Sequence, residues 1–344
     1  MFTCLTAEKL SVLNSLFTDA SRVAVVGHTH PDGDALGAIS ALAAYLRQLK
    51  GKDAVCLLSD TPADNLRFIL PESVPFLFYD QSPEACERRI AESDLVVLLD
   101  ANAFSRTEEL APFLQASKAR KVLIDHHLNP GTKAFNLVFS TPDISSASEL
   151  LYWILRELCC SPENIPADVA RALMTGMTTD TNNFANSVYP STFRMASELI
   201  AAGVDRDALL QQLYQSYREN RVRLMGYMQH EGLHILKGGA AYMILTQEIQ
   251  QRFDLREGES EGLVNVPLSI GEVRLSVLLK ENGDHFRVSV RSKKGTSAQQ
   301  LAATCFHGGG HENAAGGKLF IGADIPSAED APAYVESALQ SFLA

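Results

Sequence analysis

The chain has 344 residues, of which 46% are hydrophobic and 21% charged, and its formal net charge at pH 7 is −11. This composition is typical of a globular protein that is long enough for two domains. The negative charge argues against a protein that follows long nucleic acids, because such proteins need a basic stripe to displace counterions. We therefore expect any anionic ligand to be small.

Several patterns bear on the cellular compartment. No apolar stretch approaches the ~20 residues of a membrane span, and the N-terminus lacks the basic and apolar regions of a signal peptide. The six cysteines form no CxxC or other paired spacing, which is typical of a reducing compartment. We therefore expect a cytoplasmic protein with no membrane partner.

The first half of the chain alternates between two kinds of pattern. Short continuous apolar runs predict strands that are buried on both faces, and periodic stretches between them predict helices. The runs lie at residues 23–26, 54–58, 95–99 and 122–124, and the helical patterns at 35–49, 83–91 and 105–114. This alternation predicts right-handed βαβ units and an α/β domain with a parallel sheet.

The second half begins with helices, predicted at residues 146–158, 167–179 and 191–202. Gly203 and Asp205 are typical of a helix end and a helix start, and we interpret the helical stretch from about 207 to 236 as a connector. Strands at 240–245, 273–279 and 286–290, a hairpin turn at 281–284, and helices at 297–305 and 328–342 then predict a smaller α/β domain. The predicted organisation is a first domain at 1–190, a helical linker at 191–236 and a second domain at 237–344.

Residues 28 to 34 read His-Thr-His-Pro-Asp-Gly-Asp and directly follow the first predicted strand. In open α/β sheets, ligands bind beyond the carboxyl ends of the strands. His28, Asp32 and Asp34 suit a cation that accepts both nitrogen and oxygen donors. Equally, Asp32 or Asp34 could merely cap the helix that follows. Taken alone, this segment leaves both interpretations open.

Further acids and histidines follow other predicted elements. Asp100 ends a predicted strand, where it could also cap the next turn. Asp125, His126 and His127 end another, and an acid with two adjacent histidines has no obvious packing role there. Asp180 closes a predicted helix, a place where negative charge is unfavourable and a compensating cation is indicated.

Together these residues favour a metal site over separate helix caps. They would supply enough ligands for two cations, and Asp100 could bridge cations ~3.5–4 Å apart, as in enzymes that displace groups at phosphorus. A mixed histidine and carboxylate set is poor for Ca²⁺ and unlike a thiolate zinc site, so we expect Mn²⁺ first, with Mg²⁺ or Co²⁺ as alternatives. The predicted ligands are His28, Asp32, Asp34, Asp100, His126 and Asp180.

The second predicted domain contains a different pattern. Residues 308 to 317 read Gly-Gly-Gly-His-Glu-Asn-Ala-Ala-Gly-Gly. Consecutive glycines let backbone amides converge on an anion, and His311 adds a side-chain donor. Arg291, followed by Ser292, could clamp a phosphate through two parallel hydrogen bonds. A flexible surface turn is the alternative, but the pattern favours an anion site formed by Arg291, Ser292, Gly308, Gly309, Gly310 and His311.

With these motifs in hand, the chain resembles the DHH–DHHA1 phosphoesterase family over nearly its whole length. The resemblance implies an N-terminal parallel-sheet DHH domain, a helical linker and a smaller α/β DHHA1 domain, with the active site in the cleft between domains. Size and residues 261–268 are similar to the nano-RNase/pAp-phosphatase branch of the family. The matching motifs are His28-x-x-x-Asp32-x-Asp34, Asp100, Asp125-His126-His127, Asp180, Arg291-Ser292 and Gly308-Gly309-Gly310-His311.

The resemblance also implies a role for each matched residue. One metal would be held by His28, Asp32 and Asp100. The other would be held by Asp34, Asp100, His126 and Asp180. Asp125 would support the histidines, and His127 would face the scissile phosphate as a charge stabiliser or proton donor. Arg291 and His311 would bind the substrate's phosphates. His30 falls at a variable position and is left out of the ligand set.

The activity that the resemblance implies is the hydrolysis of short oligoribonucleotides to nucleoside monophosphates, removal of the 3′-phosphate of pAp, or both. The expected mechanism is in-line attack on phosphorus by a hydroxide that bridges two metals. Partners would be short RNA or small phosphorylated nucleotides, and the chain could form a homodimer. The alternatives are a phosphodiesterase for pApA or cyclic di-AMP, an exopolyphosphatase-like enzyme, and a non-catalytic nucleotide-binding module.

Overall fold

The apolar runs of the first half form one parallel sheet in the computed structural model, which describes residues 2–343. All neighbouring strands are parallel, in the order β3-β2-β1-β4-β5-β6. The strands are β1 (Arg22–Val26), β2 (Asp53–Leu58), β3 (Phe76–Phe78), β4 (Leu95–Leu99), β5 (Arg120–Asp125) and β6 (Leu137–Ser140). The four predicted strands are confirmed. The edge strands β3 and β6 were missed, because three and four residues are too few for a periodic signal.

The strand order reverses between β1 and β4. Strands β2 and β3 lie on one side of β1, and the chain then crosses to the other side of β1 to form β4, β5 and β6. Alternate residues of the central strands face opposite layers of the core: Val23 and Val25 face one, while Ala24 and Val26 face the other. Ligands bind at such a reversal, beyond the carboxyl ends of the two strands. The sheet therefore directs attention to the residues that follow β1 and β4.

Eight helices accompany this sheet in the described residues. They are α1 (Ala7–Asp19), α2 (Gly33–Lys50), α3 (Pro83–Glu92), α4 (Ala111–Ala116), α5 (Ala147–Cys159), α6 (Ala167–Asp180), α7 (Pro190–Ala201) and α8 (Arg206–Tyr214). The prediction of one helix over 105–114 is wrong. A 3₁₀ turn covers Phe104–Leu110, and Glu108 interrupts it with a left-handed φ of 37° before α4 begins.

Helices α2 and α6 pack backbone against backbone. A Cβ atom added to Gly37 would lie 2.6 Å from the carbonyl oxygen of Ala172 and 2.9 Å from the Cα atom of Gly176. Contacts this short are outside the range that side chains tolerate, so glycine at these positions permits the approach. The packing brings Asp34, in the first turn of α2, next to the helix that ends at Asp180.

The remaining chain forms a second compact unit, which begins at Tyr217. Its sheet has the order β11-β12-β10-β9-β8-β7, in which only β8 and β9 are a parallel pair among the described residues. Its elements are α9 (Glu219–His230), β7 (His234–Leu236), β8 (Ala240–Leu245), α10 (Gln247–Arg252), β9 (Leu275–Asn282), β10 (His285–Ser292), α11 (Ala298–Cys305), β11 (Gly309–Gly310), β12 (Ala314–Phe320) and α12 (Ala331–Leu343). The predicted hairpin is confirmed by the pairing of Asn282 with His285.

Two predictions in this half are wrong. The connector over 207–236 is two helices, with a break at 215–218 and a strand at its end. Arg218 is extended at this break, where its Nε atom lies 2.7 Å from Glu259, a long-range ion pair that no local pattern reveals.

The glycine-rich stretch is not a loop but the paired strands β11 and β12. Its glycines allow close approach, since a Cβ on Gly308 would lie 2.6 Å from the Cα of Gly317.

No helix of the described chain combines the length and the apolar character that crossing a bilayer requires.

Gly37→Ala should destabilise the first unit by about 1–3 kcal/mol, because the added methyl group forces α2 away from α6. The measurement is the unfolding midpoint of that unit in a denaturant titration. Gly226→Ala in α9 of the second unit is the control, since its Cβ would meet nothing within 4 Å, and it should leave the midpoint of the first unit unchanged. Equal midpoints for Gly37→Ala and the wild type would contradict backbone packing at this position.

Candidate active site

The candidate residues of the first unit collect at one edge of the parallel sheet. His28 follows β1, Asp100 follows β4, and Asp125 to His127 lie at the end of β5. Because these three strands are adjacent, their carboxyl ends lie side by side. Asp34 reaches this edge from the first turn of α2, and Asp180 from the last turn of α6.

Asp100 lies at the centre of the cluster. It is only 2% exposed and has a left-handed φ of 55°. Its Oδ2 atom lies 3.5 Å from Nε2 of His28, and its Oδ1 atom lies 3.3 Å from Nε2 of His126. Oδ1 nevertheless makes no well-formed hydrogen bond with any residue of the described chain. A buried carboxylate oxygen costs free energy when it is unsatisfied, so this arrangement fits a cation as its partner.

Among the groups of donor atoms that share Asp100, two consist entirely of predicted metal ligands. One group contains His28, Asp32 and Asp100, and the other contains Asp34, Asp100 and His126; within each, the donor atoms lie within 4.8 Å of one another. Asp180 approaches the second group, with its Oδ2 atom 3.6 Å from Nε2 of His126. Imidazole and carboxylate donors of this kind suit Mn²⁺ and similar divalent cations.

The two carboxylates at the start of α2 are held by backbone amides. Oδ1 of Asp32 accepts hydrogen bonds from the amides of Asp34 (2.9 Å) and Ala35 (3.0 Å), so the capping interpretation is right for this residue. The same atom lies 3.9 Å from Nε2 of His28, so the cap also belongs to the first donor group. The carboxylate of Asp34 accepts from the amides of Ala147 (2.7 Å) and Ser148 (3.0 Å) at the start of α5.

Burial and mutual proximity shift the pKa values of the histidines. Burial alone would lower the pKa of His28, but the carboxylates of Asp100 and Asp32 outweigh it and raise the pKa to about 9. Burial likewise opposes the shift at His126, where Asp100 and Asp180 raise the pKa to about 10. Both imidazoles are therefore protonated at neutral pH when no cation is bound, and a cation would have to displace these protons.

The acids of the cluster divide into two kinds. Burial would raise the pKa of Asp100, but His126 and His28 outweigh it and hold the pKa well below its ordinary value. At Asp34, burial and the negative charge of Asp100 both raise the pKa. Burial, with the charge of Asp100, also raises the pKa of Asp180, to about 7. Because the pKa values of both Asp34 and Asp180 are raised, an additional positive charge at the second group would favour their ionised forms.

Asp125 orients His127. Its Oδ1 atom lies 2.7 Å from Nδ1 of His127, and its Oδ2 atom accepts the hydrogen bond of the His127 amide at 3.1 Å. Asp125 is fully buried. A carboxylate at Nδ1 fixes the tautomer in which Nδ1 carries the proton, so Nε2 is the nitrogen that would exchange a proton with a substrate.

One contributor, Asp60, escaped the sequence analysis. Its Oδ2 atom accepts hydrogen bonds from the Thr29 hydroxyl (2.5 Å) and from the His30 amide (2.6 Å). The carbonyl of Thr29 in turn lies 2.7 Å from Nδ1 of His28, which leaves Nε2 facing Asp100. Asp60 thus holds the loop between His28 and His30 in place. Its position just after β2, the neighbour of β1, was an available signal.

His30 is half exposed and lies beside Asp60, with 3.7 Å between Nδ1 and Oδ2, and it belongs to neither donor group.

In the second unit, the glycine-rich segment uses some of its amides internally. The Gly308 amide donates to the carbonyl of Ala302 at 3.0 Å, and the His311 amide donates to that of Ala314 at 2.7 Å. These two amides therefore do not converge on an anion, contrary to the expectation for a loop. The roles of Gly309, Gly310 and the His311 side chain in binding a substrate stay predictions.

Arg291 and Ser292 end β10 and differ in their surroundings. The Ser292 hydroxyl is buried and donates to the carbonyl of Thr296 at 2.7 Å, while the Asn313 amide group donates to it at 3.0 Å. Its direct role here is to hold the strand end. The Arg291 side chain is partly exposed, and its Nη1 atom donates to the carbonyls of Val290 (3.0 Å) and Ala315 (3.4 Å). Its contact with a phosphate stays a prediction.

Comparison with known proteins places the chain in a family. Residues 22–177 match the DHH family, N-terminal domain, and residues 240–339 match the DHHA1 domain. The chain belongs to the DHH family. The predicted family resemblance is thereby confirmed, and the DHH match covers the segments that carry the donor groups up to α6.

Three relatives of this DHH-family chain are informative. The crystal structure of an exopolyphosphatase-related protein from Bacteroides fragilis is 34% identical, covers 100% of this chain and 98% of that one, and superposes with a TM-score of 0.91. The bifunctional oligoribonuclease and PAP phosphatase NrnA of Bacillus subtilis is 26% identical over 297 residues, which are 85% of this chain and 88% of that protein. A probable NrnA of Streptococcus mutans is 29% identical over 300 residues, again 85% and 88%.

The pH dependence of stability should reveal the raised histidine pKa values in cation-free protein. Because the pKa values of His28 and His126 lie above their unfolded value of 6.5, protonation stabilises the fold. This contribution is complete below pH 6.5 and is lost as the pH rises through about 9 and 10. Chemical denaturation in EDTA should show the free energy of unfolding falling across this window. A His28→Gln, His126→Gln double variant should show a smaller fall, and an equal fall would contradict the assignment.

Proposed function

We propose that this DHH-family protein is a metal-dependent phosphoesterase that hydrolyses short oligoribonucleotides to nucleoside monophosphates, removes the 3′-phosphate of pAp, or both. The observation that carries the proposal is the pair of donor groups that share the buried carboxylate of Asp100. The similarity to proteins named as oligoribonuclease and PAP phosphatase supports this choice of substrates.

The proposed cations, Mn²⁺ first, would be held by His28, Asp32 and Asp100 on one side and by Asp34, Asp100, His126 and Asp180 on the other. Divalent cations in such a site would lower the pKa of bound water and neutralise charge on the phosphoryl oxygens. The chain's own contribution is rigidity: amides fix Asp32 and Asp34, and Asp60 fixes the loop of His28. Rigid ligands stabilise developing charge without reorganisation.

His127 and Asp125 are proposed as the proton-handling pair. Asp125 holds Nδ1 of His127, so an imidazolium form of His127 would present the proton on Nε2 to the leaving oxygen or to charge on the phosphoryl group. In the DHHA1 domain, Arg291, Gly309, Gly310 and the His311 side chain are proposed to bind the substrate's phosphates, while Ser292 and Gly308 keep the strand ends in place. The location of the active site in the cleft between domains, the cytoplasmic localisation and the homodimer stay predictions.

A turnover panel tests the function. Purified protein with Mn²⁺ would be given RNAs of two to five residues, pAp, pApA, cyclic di-AMP and polyphosphate, with release of nucleotide or phosphate as the readout. We expect hydrolysis of the short RNAs or pAp, loss of activity in EDTA and recovery when Mn²⁺ is restored. Activity that survives thorough chelation would contradict the metal requirement.

The same panel separates the alternatives. Preference for cyclic di-AMP or pApA over longer RNA would indicate a second-messenger phosphodiesterase, and release of phosphate from polyphosphate would indicate an exopolyphosphatase-like enzyme. Binding of nucleotides without any turnover would indicate a non-catalytic module.

Asp100→Asn should lower kcat by about 10²- to 10³-fold, because it removes a charge that both donor groups share. Calorimetric titration with Mn²⁺ should show weaker binding in the same variant. Asp94→Asn is the matched control, since Asp94 lies at the opposite end of β4 and accepts from the amides of Ser21 and Arg22. Full activity and unchanged Mn²⁺ binding in Asp100→Asn would remove Asp100 from the centre of the site.

Arg291→Ala should raise KM by about 10- to 100-fold, the range expected for a charge-assisted contact worth about 1.5–3 kcal/mol. Arg287→Ala is the control from the same strand, because its Nη1 atom lies 3.4 Å from Glu257 and it has no proposed substrate contact. Steady-state kinetics on a short RNA would compare the two. Equal KM values in both variants would exclude Arg291 from substrate binding.

A further inference from the structure

Two phenylalanine rings stack on the surface shortly after Asp180. The ring centroids of Phe184 and Phe193 are 5.4 Å apart and the ring planes are inclined by only 13°. Phe184 packs partly into the core, whereas Phe193, in the first turn of α7, is 54% exposed. Phe193 is thus fixed by stacking on Phe184 while about half of it stays exposed, and an exposed aromatic ring can stack with another planar group.

Arg206 completes the stack from the side of Phe184. Its guanidinium carbon lies 5.5 Å from the centroid of the Phe184 ring, and its Nη2 atom donates to Oδ1 of Asn183 at 2.6 Å. A cation over an aromatic ring is a favourable contact. Arg206, Phe184 and Phe193, here called the aromatic stack, therefore combine a positive charge with two rings.

The backbone before the aromatic stack is unusual. Asn182, Asn183 and Phe184 have left-handed φ values of 47°, 56° and 67°. The Asn183 amide donates to the carbonyl of Thr178 at 2.8 Å, and the Phe184 amide donates to the Thr181 hydroxyl at 3.1 Å. Residues other than glycine adopt this conformation at a cost, and a run of them indicates that the turn itself is needed.

The turn keeps the aromatic stack close to the donor groups. Phe184 follows Asp180 by four residues, so the chain alone limits their separation to about 14 Å. Asp180 in turn lies 3.6 Å from His126. The aromatic stack is therefore joined by a single short turn to Asp180, the neighbour of the second donor group.

We propose that the open face of Phe193 is a stacking site for a nucleobase of the oligoribonucleotide, one that lies beyond the phosphate being cleaved. Single-stranded nucleic acids are commonly bound by bases that stack on aromatic rings, with arginine contributing charge. Stacking tolerates any base, as a nuclease for mixed short RNAs requires. This inference rests on the proposed function and adds a site that distinguishes RNA from a single nucleotide.

The test compares kinetics on RNA with kinetics on pAp. For Phe193→Ala, the ratio of kcat/KM for a three- to five-residue RNA to that for pAp should fall about tenfold, which is within the range for loss of one base stack. The loss should appear in KM, because stacking binds the ground state and the transition state alike. Phe193→Tyr should restore the ratio, and Phe193→Leu should not. Ile200→Ala is the control, since Ile200 lies on the same helix and is 47% exposed.

A binding measurement keeps the two proposals separable. Fluorescence anisotropy with a 5′-labelled RNA pentanucleotide would be measured on Asp100→Asn protein, with and without Phe193→Ala. Weaker binding in the Phe193 variant supports the stacking site even where wild-type protein hydrolyses no RNA, a result that would count against the proposed function alone. Equal affinities, an equal loss on RNA and pAp, or full rescue by Phe193→Leu would each overturn the stacking site.

Discussion

The site depends on one interaction, the burial of the Asp100 carboxylate between the imidazoles of His28 and His126. A charge removed from water in this way is tolerated only when opposite charges are fixed around it. Three adjacent strand ends provide the three side chains, so the sheet order itself determines which groups can meet. Asp100, the first residue after β4, has a left-handed backbone, a conformation that Asp adopts more readily than most other residues.

Several residues serve the fold and the site with the same atoms. Oδ1 of Asp32 caps α2 and faces His28, and Asp34 joins the start of α2 to the start of α5. For these side chains, helix capping and metal binding are not competing explanations. An oxygen acceptor that is already oriented by two amides has lost its conformational freedom before a ligand arrives, and such preorganisation strengthens binding.

The sequence predicted the features that local patterns encode. The buried strands β1, β4 and β5 are continuous apolar runs, and their polar ends were recognisable because acids and histidines interrupt those runs abruptly. What escaped prediction depends on contacts distant in sequence. The chain breaks before α9 where Arg218 pairs with Glu259. The strands β11 and β12 pair because their glycines allow two backbones to approach closely. Asp60 fixes the loop after β1 through a hydrogen bond from the Thr29 hydroxyl. A window of neighbouring residues contains none of these contacts.

The reversal of strand order between β1 and β4 has a consequence for biosynthesis. Val23 pairs with Leu95, so the first donor group forms only after the ribosome has made the chain beyond Asp100. The second group needs His126, and its neighbour Asp180 comes later still. A nascent chain therefore exposes isolated carboxylates and imidazoles, which bind cations weakly, until the sheet closes. The full set of candidate ligands is thus assembled only after α6, which ends at Asp180, has packed against the sheet domain.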